Sequence, residues 1–157
     1  MSRPVQAGDF HIRPAAHSDL PALLALYRHL NADDPEIAPD IAANRFAEIT
    51  AHPGMTVLIG TSGEALTSSV TLVVIPNLTR SGTPYALIEN VVTHAQYRKR
   101  GHARALIRHA FASAWHQGCY KVMLLTGSKD PATLTFYEGC GFTQNKTGFQ
   151  IRRPSGV

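Results

Sequence analysis

The segment Y-R-K-R-G-H-A-R-A-L, from Tyr97 to Leu106, is the most informative part of this sequence. It follows an apolar run, Ala86 to Thr93, and starts an amphipathic helix, so the local order is strand, basic turn, helix. The first turn of a helix has backbone N–H groups without internal partners and lies at the positive end of the helix dipole. We therefore predict an anion site here, at which Gly101 lets a phosphate approach the backbone. Formal positive charge is added by Arg98, Lys99 and Arg100.

A second block of sequence supports this prediction further along the chain. A strand-like run, Tyr120 to Thr126, is followed by D-P-A-T-L-T-F-Y-E-G-C-G-F at Asp130 to Phe142. The first block matches R-x-x-G-x-A and the second F-Y-x-x-x-G-F, at Arg98, Gly101 and Ala103 and at Phe136, Tyr137, Gly141 and Phe142. With I-R-P-A at Ile12 to Ala15 as a third match, the chain resembles the GCN5-related N-acetyltransferase (GNAT) superfamily over nearly its whole length.

The resemblance implies the GNAT fold, an α+β architecture with a mixed, mostly antiparallel central sheet and helices on both faces. Residues 1–157 then form a single domain, with 1–9 as a loose N-terminal tail. Hydrophobic periodicity and turn residues independently predict the order of the elements. These are a strand at Phe10–Arg13, a helix from an N-cap at Ser18 to Leu30, a helix at Ile41–His52 capped by Asp40, strands at Thr56–Gly60, Ala65–Ile75 and Ala86–Thr93, a helix with an apolar face from Ala103 to Ala114, a strand at Tyr120–Thr126, a short helix, and final strands around Phe142 and at Thr147–Arg152.

Composition argues against several classes of protein. The 157 residues, 44% apolar and 17% charged, suit one globular domain. The N-terminus lacks the pattern of a secretion signal, and no run reaches the about 18 apolar residues of a membrane span, so we expect a cytoplasmic protein without a membrane partner. The basic residues are concentrated in the turn and the helix after it, which favours a phosphorylated cofactor over nucleic acid as the partner of a chain with net charge +4.

No metal site is predicted. Cys119 and Cys140 form no C-x-x-C pair and are interpreted as ordinary thiols. His102, His109 and His116 recur every seven residues, which sets neighbours roughly 10 Å apart along a helix, too far to share a zinc ion. We interpret these histidines as a polar border beside the apolar face of that helix.

The resemblance implies that acetyl-CoA is the cosubstrate. In the family, backbone amides of the turn hold the pyrophosphate, here at Arg98, Lys99, Arg100, Gly101, His102 and Ala103. The strand end at Val91, Val92 and Thr93 corresponds to the segment whose backbone pairs with the pantetheine arm and polarises the thioester carbonyl. Asp130 stands where many relatives have Asn, so it is either a further cofactor contact or only a helix N-cap.

Two side chains are candidates for proton transfer. A phenol beside the sulfur can protonate the departing thiolate, and the tyrosine of the family motif, here Tyr137, has that role. An amine acceptor with a pKa near ~10.4 must lose a proton before it attacks, and Glu89 is the candidate base, directly or through a water. Glu89 and Asn90 interrupt an apolar strand, so they also fit an alternative, two structural residues with satisfied hydrogen bonds.

The acceptor is less well defined by the sequence. The family often builds its acceptor site in the loop between the first two helices, which is acidic here. Candidate substrate contacts are Asp33, Asp34 and Glu36 in that loop, Asn90, and Arg80 for an acidic acceptor. Within the family, I-E-N-V-V at Ile88 to Val92 is most similar to the glucosamine-6-phosphate N-acetyltransferases.

The resemblance therefore implies direct acetyl transfer to a primary amine of a small molecule in a ternary complex. A homodimer is the expected assembly. A protein or peptide N-acetyltransferase and a non-catalytic acetyl-CoA sensor remain alternatives, because the sequence features of the cofactor half do not separate them.

Overall fold

The computed structural model describes residues 9–156. The predicted tail at 1–9 lies outside the described residues except for Asp9. The strands are β1 Phe10–Pro14, β2 Met55–Ser62, β3 Ala65–Ile75, β4 Tyr85–Thr93 and β5 Val122–Met123. The helices are α1 Leu20–Tyr27, α2 Pro39–Ala51, the single turn α3 Thr79–Gly82, α4 His102–His116 and α5 Pro131–Gly139.

The five strands form one sheet in the order β1-β2-β3-β4-β5. The first four strands pair antiparallel, and β4 pairs with β5 in parallel. The prediction of a mixed, mostly antiparallel sheet in an α+β fold is therefore confirmed. Strands β2 and β3 form its centre, paired from Met55 opposite Val73 to Ser62 opposite Ala65.

The chain divides into two compact units, the first ending at Leu124 and the second beginning at Leu125. The first unit contains the sheet and helices α1 to α4, and the second contains α5. The single domain at 1–157 stays a prediction.

Helices cover both faces of the sheet in the first unit. Helices α1 and α2 pack on one face, in a core formed by Leu23, Leu26, Phe46, Val57, Ile59 and Val92. Side chains alternate between the two faces along a strand, so the buried side chains of Leu58 and Leu72 point to the opposite face. Helix α4 covers that face with Leu106, Ile107 and Ala110, all fully buried. The apolar face predicted for α4 therefore packs on the sheet.

Both predicted helix caps in the N-terminal half are wrong. Ser18 lies inside a single 3-10 turn, and α1 begins after Asp19 and ends at Tyr27, before Leu30. Helix α2 begins at Pro39, so Asp40 lies in its first turn rather than at its N-cap. Proline suits the first turn of a helix because the N–H that it lacks would have no partner there.

The predicted C-terminal strands are also wrong. The strand predicted at Tyr120–Thr126 is reduced to β5, Val122–Met123. Among the described residues after Phe142, none forms a strand. Alternation of apolar residues gives only a tendency to extend, whereas a strand exists through its hydrogen-bonded partner. Phe149 and Ile151 accordingly are 91% and 95% exposed.

Candidate functional site

A β-bulge in β4 lies at the centre of the candidate site. Between Glu89 and Val92, β4 uses one residue more than the opposing stretch of β3, Ser69 to Thr71. Asn90 adopts a left-handed backbone with φ 51° at this point. Neither Asn90 nor Val91 has an opposing residue on β3, so the regular ladder between the two strands is interrupted at this point.

The bulge also explains the positions of the two polar residues in this apolar strand. Glu89 and Asn90 are both exposed, so neither is a buried side chain that must have a hydrogen-bond partner in the protein. Glu89 stands opposite Thr71, which places it on the sheet face that α1 and α2 cover. The hydroxyl of Tyr27 forms hydrogen bonds with Thr71 and Ser69 on the same face, and burial raises the pKa of Tyr27. Glu89 is therefore a solvent-accessible carboxylate beside the bulge.

Strand β4 has a neighbouring strand on its β5 side only near its first residues. Its parallel pairing with β5 comprises Ala86 with Val122 and Leu87 with Met123 and ends there. Within the described sheet, residues 88–93 of β4 therefore have no strand neighbour on that side. An extended ligand with amide groups can pair with such an edge as an added strand would.

The predicted anion turn connects this open edge to α4. Lys99 has φ 60° and Gly101 has φ 86°, and glycine adopts this left-handed conformation without strain. A Cβ at Gly101 would meet nothing within 4 Å, so the space beside its backbone is open. No side chain caps the N-terminus of α4, and its first turn contains no acidic residue. The unsatisfied N–H groups of this turn therefore fit a phosphate group such as those of acetyl-CoA.

The basic side chains of the turn differ in their surroundings. Arg98 donates from Nε to the carbonyl of Thr93 at 3.3 Å and from Nη2 to the carbonyl of His29 at 3.3 Å. The guanidinium of Arg100 lies 5.0 Å from the centre of the Tyr97 ring and is exposed, as is Lys99. Arg98 thus braces the backbone around the turn, whereas Lys99 and Arg100 present their charges to solvent.

His102, the first residue of α4, is only 3% exposed, so its interpretation as part of a polar border is wrong. Its ring stacks on Phe10 with centroids 4.1 Å apart, and its Nδ1 lies 2.9 Å from the hydroxyl of Thr67. Burial, with a contribution from Arg100, lowers the pKa of His102, so the ring is neutral at pH 7. Because the ring is buried, the backbone N–H is the part of His102 that suits an anion.

Two histidines beside the turn carry no signal in the sequence. The rings of His29 and His94 lie 4.1 Å apart. Nδ1 of His29 accepts a hydrogen bond from the backbone N–H of Ala95 at 3.3 Å, and Nδ1 of His94 accepts one from Gln96 at 3.2 Å. Burial and the nearby His94 and Arg98 lower the pKa of His29. His29 and Ala95 are 66 residues apart in the chain, so only the fold brings them together.

The acidic loop after α1 is exposed, Asp33 included. Arg28 holds the loop by donating to the carbonyls of Ala32 and Asp34, each at 2.6 Å. The loop is therefore attached to the residue that precedes His29, which contacts the turn. The predicted acceptor loop and the predicted cofactor turn meet at the same end of α1.

Arg80 lies at the other end of β4 from the turn. Its guanidinium is 5.7 Å from the centre of the Tyr120 ring, beside the start of β4. Strand β4 has nine residues and spans about 26 Å, so Arg80 is far from Thr93. A cavity of about 400 Å³ borders the same connection, lined by His52, Pro53, Gly54, Val74, Pro76, Asn77, Gly82 and Pro84. The structure does not bring Arg80 together with the other predicted site residues of the first unit.

In the second unit, Tyr137 lies on α5 and is half-buried. Its ring contacts Phe136 and Phe142, with centroids 5.2 and 6.1 Å away. Burial, with the neighbouring Cys140, raises the pKa of Tyr137, so the phenol keeps its proton at pH 7. Asp130 is the N-cap of α5, where its Oδ1 accepts from the backbone N–H of Ala132 at 2.9 Å. The helix-cap alternative for Asp130 is confirmed, and its contact with the cofactor stays a prediction.

Neither a metal-binding cluster nor a membrane-spanning helix is found among residues 9–156. No group of three or more His, Cys, Asp or Glu residues from 9 to 156 is arranged to hold a metal ion. No helix in the same range has both the length and the apolar character needed to cross a membrane.

Known proteins with similar sequences and structures identify the family of this chain. The sequence model of the Acetyltransferase (GNAT) family matches residues 23–142. Glucosamine 6-phosphate N-acetyltransferase of Trypanosoma brucei brucei is 32% identical over 145 residues, 91% of this chain and 95% of that protein. A solved structure from Agrobacterium tumefaciens is 51% identical, with a TM-score of 0.88 over 91% of this chain and 99% of that one. Glucosamine-6-phosphate N-acetyltransferase from Arabidopsis thaliana shares the fold, with a TM-score of 0.80 at 19% identity over 93% of this chain and 98% of that one.

The family match includes both sequence motifs, the open edge of β4 and the turn before α4. The chain therefore belongs to the acetyltransferase (GNAT) family and is an N-acetyltransferase that uses acetyl-CoA.

Proposed function

We propose that this enzyme transfers the acetyl group of acetyl-CoA directly to the primary amine of a small molecule in a ternary complex. The observation that carries the proposal is the open edge of β4, which leads from the bulge to the uncapped N-terminus of α4. An open strand edge followed by a helix N-terminus suits the two polar parts of the cosubstrate, its amide-containing arm and its pyrophosphate. Acetyl-CoA supplies the activated acetyl thioester.

The backbone of β4 and of the turn would bind this cosubstrate. Val91, Val92 and Thr93 lie on the open edge, where their N–H and C=O groups can pair with the pantetheine arm. The pyrophosphate would accept hydrogen bonds from N–H groups at Gly101, His102 and Ala103, with Lys99 and Arg100 adding charge. Arg98 would contribute indirectly, through its hydrogen bonds to the carbonyls of Thr93 and His29. Asp130 would contribute as the N-cap of α5.

Tyr137 would donate a proton to the thiolate that leaves. The phenol carries its proton at pH 7, which a general acid needs before it can donate. Glu89 would accept the proton of the amine, directly or through a water, which its exposure beside the bulge permits. Glu89 would thus remove a proton from the nucleophile, and Tyr137 would supply one to the leaving group.

The two cysteines support direct transfer. Cys119 and Cys140 are both buried, and burial raises the pKa of Cys119. A thiolate is the nucleophilic form of cysteine, and a buried thiol with a raised pKa forms little of it. An acetyl-cysteine intermediate is therefore disfavoured.

The proposed acceptor is an amino sugar phosphate. The support is the 32% identity with a protein named glucosamine 6-phosphate N-acetyltransferase. Asp33 in the exposed acidic loop would attract the ammonium group, and Asn90 in the bulge would contact the acceptor near the thioester. Arg80, at the far end of β4 from the turn, is the candidate to bind the phosphate of the acceptor.

Release of CoA thiol in the presence of acetyl-CoA and one amine tests this proposal. The amines are glucosamine 6-phosphate, glucosamine, and a lysine-containing peptide. Turnover that is fastest with glucosamine 6-phosphate is expected. Activity with the peptide alone would favour a protein acetyltransferase, and binding of acetyl-CoA without thiol release from any amine would favour the non-catalytic sensor.

We also propose a homodimer in the cytoplasm. The support for a dimer is the pair of exposed apolar side chains, Phe149 and Ile151, in a segment without regular secondary structure. Light scattering on the pure protein measures the assembly, and a monomer at micromolar concentration would contradict it.

A further inference from the structure

Two consecutive residues after α1 hold two different loops. Arg28 donates hydrogen bonds to the carbonyls of Ala32 and Asp34 in the acidic loop, each at 2.6 Å. His29 contacts the connection between β4 and α4 instead. The end of α1 is therefore the structural link between the predicted acceptor loop and the predicted cofactor turn.

His29 contacts this connection in three ways. Its ring Nδ1 accepts from the N–H of Ala95 at 3.3 Å, and its carbonyl accepts from Nη2 of Arg98 at 3.3 Å. Its ring also packs on that of His94 at 4.1 Å. Arg98 in turn donates to the carbonyl of Thr93, the last residue of β4. The segment from Thr93 to Arg98 is thus tied to one residue of a distant helix.

The segment has little regular structure of its own. A 3-10 turn at Ala95–Tyr97 is its one regular element, and α4 begins only at His102. The open edge of β4 and the N-terminus of α4 must keep a fixed spacing if both are to contact one acetyl-CoA molecule. A displacement of about 1 Å can lower a reaction rate by about 10²-fold, so contacts that hold such a segment affect function.

We propose that His29 is a positioning residue, whose neutral ring and carbonyl hold the β4–α4 connection in the conformation that binds acetyl-CoA. The inference rests on the proposed function, in which this turn binds the pyrophosphate. His29 does not itself touch the cosubstrate in this proposal and acts through Ala95 and Arg98.

The proposal makes the protonation state of His29 important. Nδ1 must carry no proton if it is to accept from Ala95, so protonation of the ring removes that hydrogen bond. The titratable and charged groups against His29 are Arg28 on its own side and His94 and Arg98 on the connection, with Tyr97 against the edge of His94. The neighbouring His94 and Arg98 both disfavour the protonated form of His29, and the acidic groups of its own segment are Asp33 and Asp34, in the loop that Arg28 holds.

Calorimetric titration with CoA tests the proposal without any acceptor. The variants are His29→Leu, which keeps the size but removes the acceptor atom, and His29→Asn, whose Oδ1 can accept from Ala95 in place of Nδ1. The matched control is His109→Leu, an exposed histidine on α4. At pH 7.5 we expect His29→Leu to weaken CoA binding about tenfold, and His29→Asn and His109→Leu to stay within about twofold of wild type.

The same titration at pH 5.5 separates positioning from simple packing. Asn does not titrate, so the ratio of wild-type to His29→Asn dissociation constants should rise between pH 7.5 and 5.5, by less than the about tenfold that an imidazole with the ordinary pKa would give, while ionisation of the CoA phosphates cancels in the ratio. A ratio that stays constant overturns the proposal. This test does not depend on His29→Leu, so it holds even if that variant fails to fold. Equal CoA affinity of His29→Leu and wild type overturns it as well, whereas wild-type protein that does not bind CoA overturns the proposed function instead.

Discussion

His102 Nδ1 lies 2.9 Å from the hydroxyl of Thr67, which joins the first residue of α4 to the middle of the sheet. The Thr67 hydroxyl also donates to the carbonyl of Gly60 at 3.2 Å, so the imidazole is attached to two strands through one side chain. Nε2 of His102 has no partner within the described residues. The N-terminus of α4, where we propose that the pyrophosphate binds, is therefore anchored by a buried neutral histidine.

We expect the stability of the fold to depend on pH through His102. Its pKa is lowered in the folded protein, so protons bind the unfolded chain more tightly. The stabilising contribution is present above pH ~6.5, the ordinary pKa, and is lost as pH falls from there through the folded pKa. His102→Phe should keep the stacking on Phe10 and remove this dependence. Urea denaturation at pH 7.5 and 5.5 measures it, with the exposed His109→Phe as control.

Comparison of the three proteins separates the contribution of His102 from the loss of stability that other titrating groups cause at low pH. Wild type and His109→Phe should lose stability together between the two pH values, and His102→Phe should lose less. Equal losses in all three proteins would show that His102 does not couple folding to protonation.

Gly101→Ala should weaken acetyl-CoA binding more than it weakens the fold. A Cβ there meets no protein atom, so the protein loses only the about 1 kcal/mol of a left-handed alanine. The same methyl group would stand where a phosphate approaches the backbone of the turn. Gly63→Ala is a matched control, because Gly63 has φ 58° and equally open space in the β2–β3 turn.

Thermal melting with and without acetyl-CoA measures both effects. Both variants should melt a few degrees below wild type, and only Gly101→Ala should lose the ligand-dependent rise, which is about 2.7 kcal/mol at 100 times the dissociation constant. Adenosine, which has no phosphate, should shift none of the proteins appreciably. Equal ligand-dependent shifts in both variants would place the pyrophosphate elsewhere.

Tyr137→Phe should lower kcat by roughly 10²–10³ and leave the KM for acetyl-CoA within a few fold, because one hydroxyl is removed from a half-buried ring that keeps its contacts with Phe136 and Phe142. Steady-state kinetics by thiol release is the measurement. The control is Tyr85→Phe, on the first residue of β4, whose ring contacts Tyr120 and Lys121. An unchanged kcat would assign Tyr137 a packing role and leave the thiolate to be protonated by water.

Glu89→Gln should lower kcat/KM at neutral pH by about 10²-fold, with partial recovery at high pH as the amine loses its proton to solvent. Because Glu89 is exposed, the melting temperature should not change. Glu64→Gln, another exposed carboxylate, in the turn between β2 and β3, is the control. A pH profile parallel to that of wild type would contradict the role of Glu89 as a base.

The sequence alone determined the features that depend on neighbouring residues. Strand β3 has the predicted bounds, Ala65–Ile75, and α4 buries the predicted stripe that includes Leu106 and Ile107. The same holds for Asp130 as the cap of α5 and for Gly101 at the turn. Hydrophobic period, cap chemistry and the freedom of glycine are local properties, so they can be seen without a partner segment.

Features that depend on distant segments became visible only in the folded protein. Glu89 is exposed because a bulge changes the register between β3 and β4, and register is a property of two strands. His102 and His109 have the same helical setting seven residues apart, yet only His102 is buried, because Phe10 and Thr67 cover it. His29 likewise contacts Ala95, 66 residues away, only because the fold brings the two segments together. Burial and long-range hydrogen bonds are set by which elements pack together, and the residues that meet there carry no local mark of it.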